Sequence, residues 1–330
     1  MLSRVAENLY WMTRYLERAD NTARLINSTT QVLLDLPVSV KFGWDVLIKI
    51  SGLDNLFLKY YSTADESSVV NFLIQDKNNP GSILSCIHYA RENTRTFREV
   101  LPMEFWERIN GLYLYIQRNA HGTTRGRSQR YEVLSQIIER RQSIVGLVMG
   151  SMSHDAAYQF IKLGRNLERA DMTTRIVDIN SAVLLPNDES IATSTQERLW
   201  MATLTALSAY QMYRQHVGVH VLGHEVVNFL LNNFHFPRTV NHCLTEIENC
   251  LSMLPNHNEP MKMARRTSRR LATMPLDGLQ PMALHEYLDQ IQADLGAIHN
   301  AVSQQYFYLY QTSCLQNNQQ SITKSVTTDK

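Results

Sequence analysis

Apolar residues recur at helical spacing along nearly the whole chain. In the first segment they alternate steps of four and three residues, the spacing of a helix seam that faces another helix. This first stripe consists of Val5, Leu9, Met12, Leu16, Ala19, Ala23 and Ile26. A second stripe consists of Ala156, Phe160, Leu163, Leu167, Ala170, Thr174 and Val177. No segment keeps the period of two that a half-buried strand requires, so the pattern predicts an all-α protein.

Two long helices are predicted around these stripes, over 3–35 and 155–185. Ser3 is the expected N-cap of the first, and Ser153 or Asp155 that of the second, because Ser and Asp side chains accept hydrogen bonds from the free N–H groups of a first turn. Further helices are predicted over 43–60, 66–75, 82–100, 103–120, 128–150, 194–215, 224–232, 238–254, 259–274 and 281–311.

The two long helices share a sequence motif. Residues 14–24 and 165–175 both read Arg-x-Leu-Glu-Arg-Ala-Asp-x-Thr-x-Arg, which makes eight of their eleven positions identical. A second match follows in the same order, where residues 69–73 recur unchanged as 226–230. Matches that keep their order and nearly their spacing indicate an internal duplication.

The duplication predicts two similar helical bundles, over 1–150 and 151–312, packed as a pseudo-two-fold pair. Pro80 and Pro237 match at the spacing set by the preceding repeat and extend the register. Residues 313–330 are rich in Ser, Thr, Gln, Asn and Lys and are predicted to form a disordered polar tail.

Composition agrees with a helical protein and narrows the function. Among 330 residues only 13 are Gly and 9 are Pro, the two residues that most disfavour helices. The formal net charge is +1, so no overall field attracts nucleic acid or an anionic membrane. The opening residues lack the apolar run of a signal peptide, and no stretch reaches the ~20 apolar residues of a membrane span. We therefore expect a cytoplasmic protein that binds neither nucleic acid nor membrane.

Each long helix carries a polar set beside its apolar stripe. Glu17, Asp20 and Arg24 lie at i, i+3 and i+7, so they share one face of the first helix, and their counterparts do the same in the second. The candidate binding residues of the two motifs are Arg14, Glu17, Arg18, Asp20 and Arg24 in the first and Arg165, Glu168, Arg169, Asp171 and Arg175 in the second.

This polar set has three interpretations. It forms a buried or half-buried Arg–carboxylate network where the two units meet, a binding site for a polar ligand or partner, or an exposed charged face. If the network is buried, carboxylates of one helix should contact arginines of the other, for example Glu17 with Arg169 and Glu168 with Arg18.

A second candidate is a basic strip in the first unit. Arg91, Arg95 and Arg98 fall on one face of the predicted helix over 82–100, with Asn93 between them. The matching part of the second unit has no arginine. The strip is either a solvated face or a clamp for an anion or carboxylate.

No cofactor or metal site is predicted. The sequence lacks Gly-x-Gly-x-x-Gly, a phosphate-binding loop, His-Glu-x-x-His and C-x-x-C. His216, His220 and His224 are spaced at i, i+4 and i+8, but the Glu of a zinc-protease motif is missing, and Gly218 and Gly223 interrupt the helix.

Four segments carry a family resemblance, at residues 2–26, 90–95, 160–173 and 236–240. Together they resemble the bacterial alpha-E family, named for a helical fold with Glu-Arg motifs. The resemblance implies a bacterial cytoplasmic protein whose gene lies beside, or is fused to, that of a circularly permuted ATP-grasp protein. Genes of transglutaminase-like proteins are also frequent neighbours. The resemblance therefore implies a part in an ATP-dependent amide-forming or peptide-modifying system.

Two functional hypotheses follow. In the first, the protein is a non-catalytic binding partner of an ATP-grasp ligase, and its arginines hold a carboxylate-bearing peptide or dock the ligase. In the second, it is an enzyme in which Glu17 and Glu168 act as general acid and base, or as metal ligands, in a pocket between the units. A weaker third hypothesis is a purely structural assembly protein.

Overall fold

The computed structural model describes residues 2–36, 42–184, 193–273 and 281–307, and in this part of the chain all regular structure is helical. The helices are α1 (Ser3–Asp35), α2 (Asp45–Ser51), α3 (Asp54–Tyr60), α4 (Glu66–Ile74), α5 (Ile83–Thr96), α6 (Met103–Asn119), α7 (Arg127–Ser151), α8 (Ala156–Leu184), α9 (Thr193–Ala206), α10 (Tyr210–His216), α11 (Gly223–Asn232), α12 (Val240–Ser252), α13 (Asn258–Thr273) and α14 (Pro281–Tyr306). Two short 3₁₀ turns lie at Arg98–Val100 and Ala120–Gly122.

Helices α1 and α8 pack against each other at the centre of the fold. The first also contacts α5, α7 and α9, and the second contacts α12, α14 and α2. Helix α6 packs on α5 and α7, and α13 packs on α12 and α14. The two central helices are therefore surrounded on several sides, and polar residues on them become buried as well as apolar ones.

The apolar stripe of α1 lies in the core, as its spacing predicts. Leu9, Met12 and Ile26 are almost fully buried. Burying one such side chain stabilises the fold by roughly 1.5–3 kcal/mol, so the stripe fixes which way α1 faces.

Glycine allows α1 and α8 to approach closely at one point. A Cβ atom on Gly164 would collide with the carbonyl oxygen of Tyr10 and with the Thr13 hydroxyl. Backbone of one helix therefore lies against backbone of the other immediately before Arg165, where the second motif begins. This contact brings the two motifs within side-chain reach of each other.

Two predicted helices are interrupted. The segment 43–60 forms α2 and α3, because Gly52 ends α2 in the left-handed conformation at φ 66°. The segment 194–215 forms α9 and α10, which are separated at Ser208, a non-glycine residue with φ 55°. The apolar spacing continues through both breaks, so periodicity alone did not reveal them.

Some predicted helix ends also need correction. Ser3 is the first residue of α1, and the preceding Leu2 makes no side-chain cap bond, so the predicted Ser3 cap is wrong. Asp155 caps α8, where its carboxylate accepts from the Ala157 N–H at 2.9 Å. Helix α5 ends at Thr96, four residues before the predicted end.

The predicted tail, 313–330, lies outside the described residues, as does the end of the helix predicted over 281–311. The predicted unit boundary, between residues 150 and 151, falls in the last turn of α7, just before the connection to α8. None of the described helices combines the length and hydrophobicity needed to cross a bilayer.

Candidate functional site: an arginine–carboxylate network

The polar set of the two motifs is buried between α1 and α8. Glu17 and Asp20 are fully buried, and Glu168 is 1 % exposed. The exposed-face interpretation is therefore wrong for these three carboxylates. A buried charge is costly unless it is paired and hydrogen-bonded, so the partners of these groups decide what the network does.

Glu168 is paired with two arginines of the opposite helix. Arg14 Nε donates to Oε2 at 2.7 Å, and Arg18 donates through Nε to Oε1 at 2.6 Å and through Nη2 to Oε2 at 3.1 Å. Burial by itself would raise the pKa of the Glu168 carboxyl, but Arg18 and Arg14 together outweigh burial and lower it to about 2. The group is a permanent carboxylate near neutral pH, and the predicted Glu168–Arg18 contact is confirmed.

A second layer of contacts holds Arg14 in place. Its Nη1 donates to the Tyr10 hydroxyl at 3.3 Å, and that hydroxyl is 2.9 Å from Nδ1 of His299 on α14. Burial, assisted by the nearby Arg14 charge, lowers the pKa of His299 to about 4. The imidazole is therefore neutral at physiological pH, and this end of the network gains no further positive charge.

Glu17 is contacted by three arginines. Arg169 Nε donates to Oε1 at 2.7 Å, and Arg238 Nη1 lies 3.3 Å from the same oxygen. Arg141 forms an ion pair with Oε2 through Nη2. The predicted contact between Glu17 and Arg169 is thus present, while the other two partners come from α7 and from the turn before α12.

Asp20 shares these partners. Arg24 donates to both carboxylate oxygens, at 2.9 and 3.2 Å, in the i, i+4 pair that the motif spacing predicts. Arg238 Nη2 donates to Oδ2 at 2.6 Å and its Nη1 donates to the Asn21 side-chain oxygen at 2.7 Å. Arg238 therefore bridges Asp20 and Glu17 and ties the start of α12 to α1.

The second motif is less enclosed at its C-terminal end. Arg175 Nε donates to Asp171 at 3.0 Å, again at i, i+4, but both side chains are partly exposed. Arg165 forms no ion pair with any described carboxylate, and its buried Nε has no hydrogen-bond partner among the described residues. Burial, with the Arg169 charge nearby, lowers the pKa of Arg165 to about 10.

Sequence reasoning missed Arg141 and Arg238. Arg141 continues the apolar stripe of α7, four residues after Ile137 and three before Ile144. A charged residue at such a core-facing position indicates a buried ion pair, and this spacing could have identified Arg141. Arg238 lies in the segment 236–240, which is one of the four segments that resemble the family. No sequence pattern assigned a role to this arginine.

A small pocket of about 280 Å³ opens beside Glu17 and Asp20. Its charged lining consists of Arg24, Arg141, Arg169 and Arg238. Burial lowers the pKa of Arg238 to about 10, with Arg169 and Arg24 adding to the effect and Asp20 opposing it. Burial and neighbouring guanidinium groups likewise lower the pKa of Arg141. Positive charge is thus crowded at this pocket.

The basic strip of α5 is separate from the network. Arg91 donates to the Asn110 side chain of α6 at 2.7 Å, pairs with Glu92, and lies with its guanidinium 5.1 Å from the Trp106 ring centroid. Arg95 is mostly exposed and pairs with Glu92 at 2.9 Å. These contacts are made on α5 and α6, so the structure does not bring the strip together with the motif residues.

The end of the strip is not helical. Arg98 begins the 3₁₀ turn after α5, and its guanidinium stacks 3.8 Å from the Trp106 ring centroid. Asn93 is half-buried on α5. The prediction that all three arginines share one helix face is therefore wrong for Arg98.

One other group has the composition of a metal site. Asp178, His285 and Asp289 each place a ligand atom within 4.8 Å of the others, with Asp178 buried and the other two exposed. His285 Nδ1 lies 2.7 Å from Asp178, and its Nε2 lies 3.6 Å from Asp289, so the ring already lies between two carboxylates and pairs with them when it is protonated. His216 and His224 lie on different helices, α10 and α11, so their regular spacing does not place them on one face.

The fold and the network define a class: an all-helical protein whose two central helices are joined by a buried Arg–carboxylate network built from a repeated Glu-Arg motif. The chain belongs to the Alpha-E family, described as "a predicted alpha-helical domain with a conserved ER motif", and the match covers residues 1–307. The Glu-Arg pairs of this chain's repeated motif, Glu17-Arg18 and Glu168-Arg169, cross-pair between α1 and α8.

Curated relatives come from mycobacteria. The uncharacterized protein Mb2597 of Mycobacterium bovis and the uncharacterized protein Rv2567 of Mycobacterium tuberculosis are each 23 % identical to this chain over 321 residues. The match covers 90 % of this chain and 35 % of each relative, so the chain spans about a third of their length. No solved structure matches the chain.

Proposed function

We propose that this protein is a non-catalytic helical binding partner of an ATP-grasp amide ligase in a bacterial, cytoplasmic peptide-synthesis or peptide-modification system. The observation that supports this proposal best is the state of Glu17 and Glu168. Both candidate acid–base residues are buried and paired with arginines of the opposite helix.

Such pairing disfavours the enzyme hypothesis. A general acid or base works best with a pKa near the working pH. Burial would raise the pKa of Glu168, but Arg18 and Arg14 outweigh burial and lower this pKa to about 2. The carboxylate therefore does not carry a proton near neutral pH. The sequence also lacks a phosphate-binding loop, which suits a protein whose ATP chemistry is done by a neighbour.

We also propose that the two duplicated units form one rigid body with pseudo-two-fold symmetry. Thr13 and Gly164, which occupy the same position relative to the two motifs, meet where α1 crosses α8. Gly52 and Ser208 match in the register that aligns Trp44 with Trp200, and both have positive φ. Each also lies beside the last arginine of a motif. The reciprocal packing of α1 on α5 and α7, and of α8 on α12 and α14, supports the same arrangement.

A rigid body of this kind supports a role in holding another protein. Breaking a buried ion pair strands a charge, so the network resists sliding of the two units. The mycobacterial relatives extend well beyond the matched region, which leaves room in one chain for a second activity. Both points favour a module that positions a partner or its substrate.

The test is reconstitution with the ligase encoded beside this gene. The isolated protein should neither bind nor hydrolyse ATP, and adding it should raise ligase turnover. Arg95→Glu should weaken the stimulation, because Arg95 is exposed on the basic strip and has Glu92 as its ion-pair partner. Arg265→Glu on α13 is the matched control, since Arg265 is equally exposed and also lies near a glutamate.

Two outcomes would contradict the proposal. Turnover by the isolated protein that disappears in Glu17→Gln or Glu168→Gln would favour the enzyme hypothesis. Failure of the ligase to bind or respond, with both proteins folded, would favour the purely structural role.

A further inference from the structure

The pocket beside Glu17 has more positive charge than the protein compensates. Four guanidinium groups line it, and the carboxylates that contact them are Glu17 and Asp20. Arginine remains protonated in proteins, so four positive charges against two negative ones leave an excess of two. The four side chains are only 5–12 % exposed, which limits the screening that water provides.

The four guanidinium groups also have more N–H donors than the two carboxylates can pair. A guanidinium carries five N–H donors, and two carboxylates cannot accept from all the donors of four such groups. The Nε of Arg141 is buried and has no hydrogen-bond partner among the described residues. Arg141 therefore lines the pocket with a donor that no described group of the protein satisfies.

The pocket is also held in position by a strained residue. Ser208 lines the pocket in the left-handed conformation, at φ 55°, and its hydroxyl accepts from Arg24 Nη1 at 2.6 Å. A non-glycine residue pays a conformational cost there, and such residues cluster at ligand sites. In this structure the break between α9 and α10 places a hydroxyl where it fixes one of the four guanidinium groups.

We propose that this pocket binds a doubly charged oxyanion group of a small ligand, either a phosphoryl group or a dicarboxylate. Two negative charges balance the excess, and planar guanidinium forks suit carboxylate and phosphate oxygens equally. A volume of about 280 Å³ admits such a group with few attached atoms. The inference rests on the proposed binding function, for which it supplies the ligand class.

The experiment uses the isolated full chain, so that its result does not depend on the ligase. Thermal melting and titration calorimetry are run with inorganic phosphate and with succinate, against acetate and chloride at equal ionic strength. Saturating phosphate or succinate should raise Tm by about 5 °C, because a ligand at 100 times its Kd stabilises the folded state by mass action. The better of the two dianions identifies the source as phosphoryl or dicarboxylate.

Variants assign the effect to the pocket. Arg141→Met should weaken dianion binding by about 10- to 100-fold, the loss expected for one charge-assisted contact. It should still fold, because Glu17 keeps Arg169 as a partner. If it does not melt cooperatively, Arg24→Gln serves instead, since Asp20 keeps Arg238. Arg270→Gln on α13 removes a comparable arginine–carboxylate pair outside the network and should leave binding unchanged.

Equal stabilisation by chloride and phosphate, or dianion binding that is the same in wild type and the pocket variants, would overturn the inference. A protein that binds the dianion but has no effect on the ligase would retain this site and lose the proposed function. Ligase stimulation without dianion binding would support the proposed function and contradict the dianion site.

Discussion

The two ends of the buried network start from the same motif and differ in their surroundings. At one end Glu168 is enclosed by Arg14 and Arg18 and is almost fully buried. At the other end Glu17 and Asp20 stand behind a pocket lined by arginines. One end is closed and the other is open, although their sequences agree at eight of eleven positions.

Local geometry is the same at both ends. The Asp and Arg at i, i+4 pair in each motif, at 2.9 Å for Asp20–Arg24 and 3.0 Å for Asp171–Arg175. A residue with positive φ lies beside the arginine in each case, Ser208 beside Arg24 and Gly52 beside Arg175. Contacts within one helix follow from its spacing, so identical motifs give identical pairs.

The difference comes from residues outside the motif. In the register of the proposed duplication, Arg238 corresponds to Gly81, and Arg141 corresponds to Leu295. The open end thus gains two guanidinium groups that have no counterpart at the closed end. A repeated motif can therefore be structural at one end of a network and a candidate binding site at the other.

The largest expected effect comes from removing the central carboxylates. Glu17→Ala and Glu168→Ala should each lower the free energy of unfolding by about 3–5 kcal/mol, because each strands buried guanidinium groups. Glu17→Ala should cost more, since it leaves three arginines without this partner, compared with two for Glu168→Ala. Urea denaturation measures both. Unchanged stability in both variants would show that the motif is not part of the core in solution.

Acid should weaken the closed end. The pKa of Glu168 is about 2 in the folded protein, below its ordinary value of 4.5, because Arg18 and Arg14 outweigh burial. A lowered carboxyl pKa gives stability that is fully present above pH 4.5 and is lost as the pH falls toward 2. The loss should be on the order of 3 kcal/mol, measured by urea denaturation at successive pH values.

Glu168→Gln is the matched control, because it should lack this part of the pH dependence. Other acidic groups remain in both proteins, including Glu66, whose pKa is also lowered to about 2 by Arg127 and Arg130 against burial. The difference between the two curves therefore isolates Glu168. Parallel curves would mean that its pairs do not form.

Separating the helices should damage both ends together. Gly164→Ala places a methyl group against the Tyr10 backbone, which cannot move aside as a flexible side chain could. We expect a loss of about 1–3 kcal/mol in the free energy of unfolding, the usual cost of overpacking. Gly146→Ala on α7 meets no atom within 4 Å and should be neutral or slightly stabilising. Equal stability of the two variants would argue against the close crossing.

The smallest effect concerns the support of the closed end by His299. Its pKa is lowered to about 4 by burial and by Arg14, so the unfolded state takes up more protons between pH 6.5 and 4. Stability should fall by about 1 kcal/mol as the pH decreases through this window, a value reduced for solvent screening because the ring is partly exposed. His299→Phe should flatten this window and leave the Glu168 window in place. A His299 NMR titration near pH 6.5 would contradict the prediction.

Periodicity predicted the helices that carry continuous apolar stripes, and it failed at two interior breaks. The stripe through 43–60 and that through 194–215 continue across Gly52 and Ser208, where the backbone adopts positive φ. Side-chain spacing reports which face is buried and carries little information about one left-handed residue. A serine with positive φ is rarer still, so no sequence rule pointed to Ser208.

The sequence by itself determined the helical class, the apolar face of α1 and the local Asp–Arg pairs, because all three depend on spacing along one helix. Tertiary structure decided the charge balance. Arg141 and Arg238 reach Glu17 from more than 100 residues away along the chain, and electrostatic energy depends on distance in space. Only the packing of α7 on α1 and of α12 on α8 could therefore make one end of a repeated motif closed and leave the other with an arginine-lined pocket.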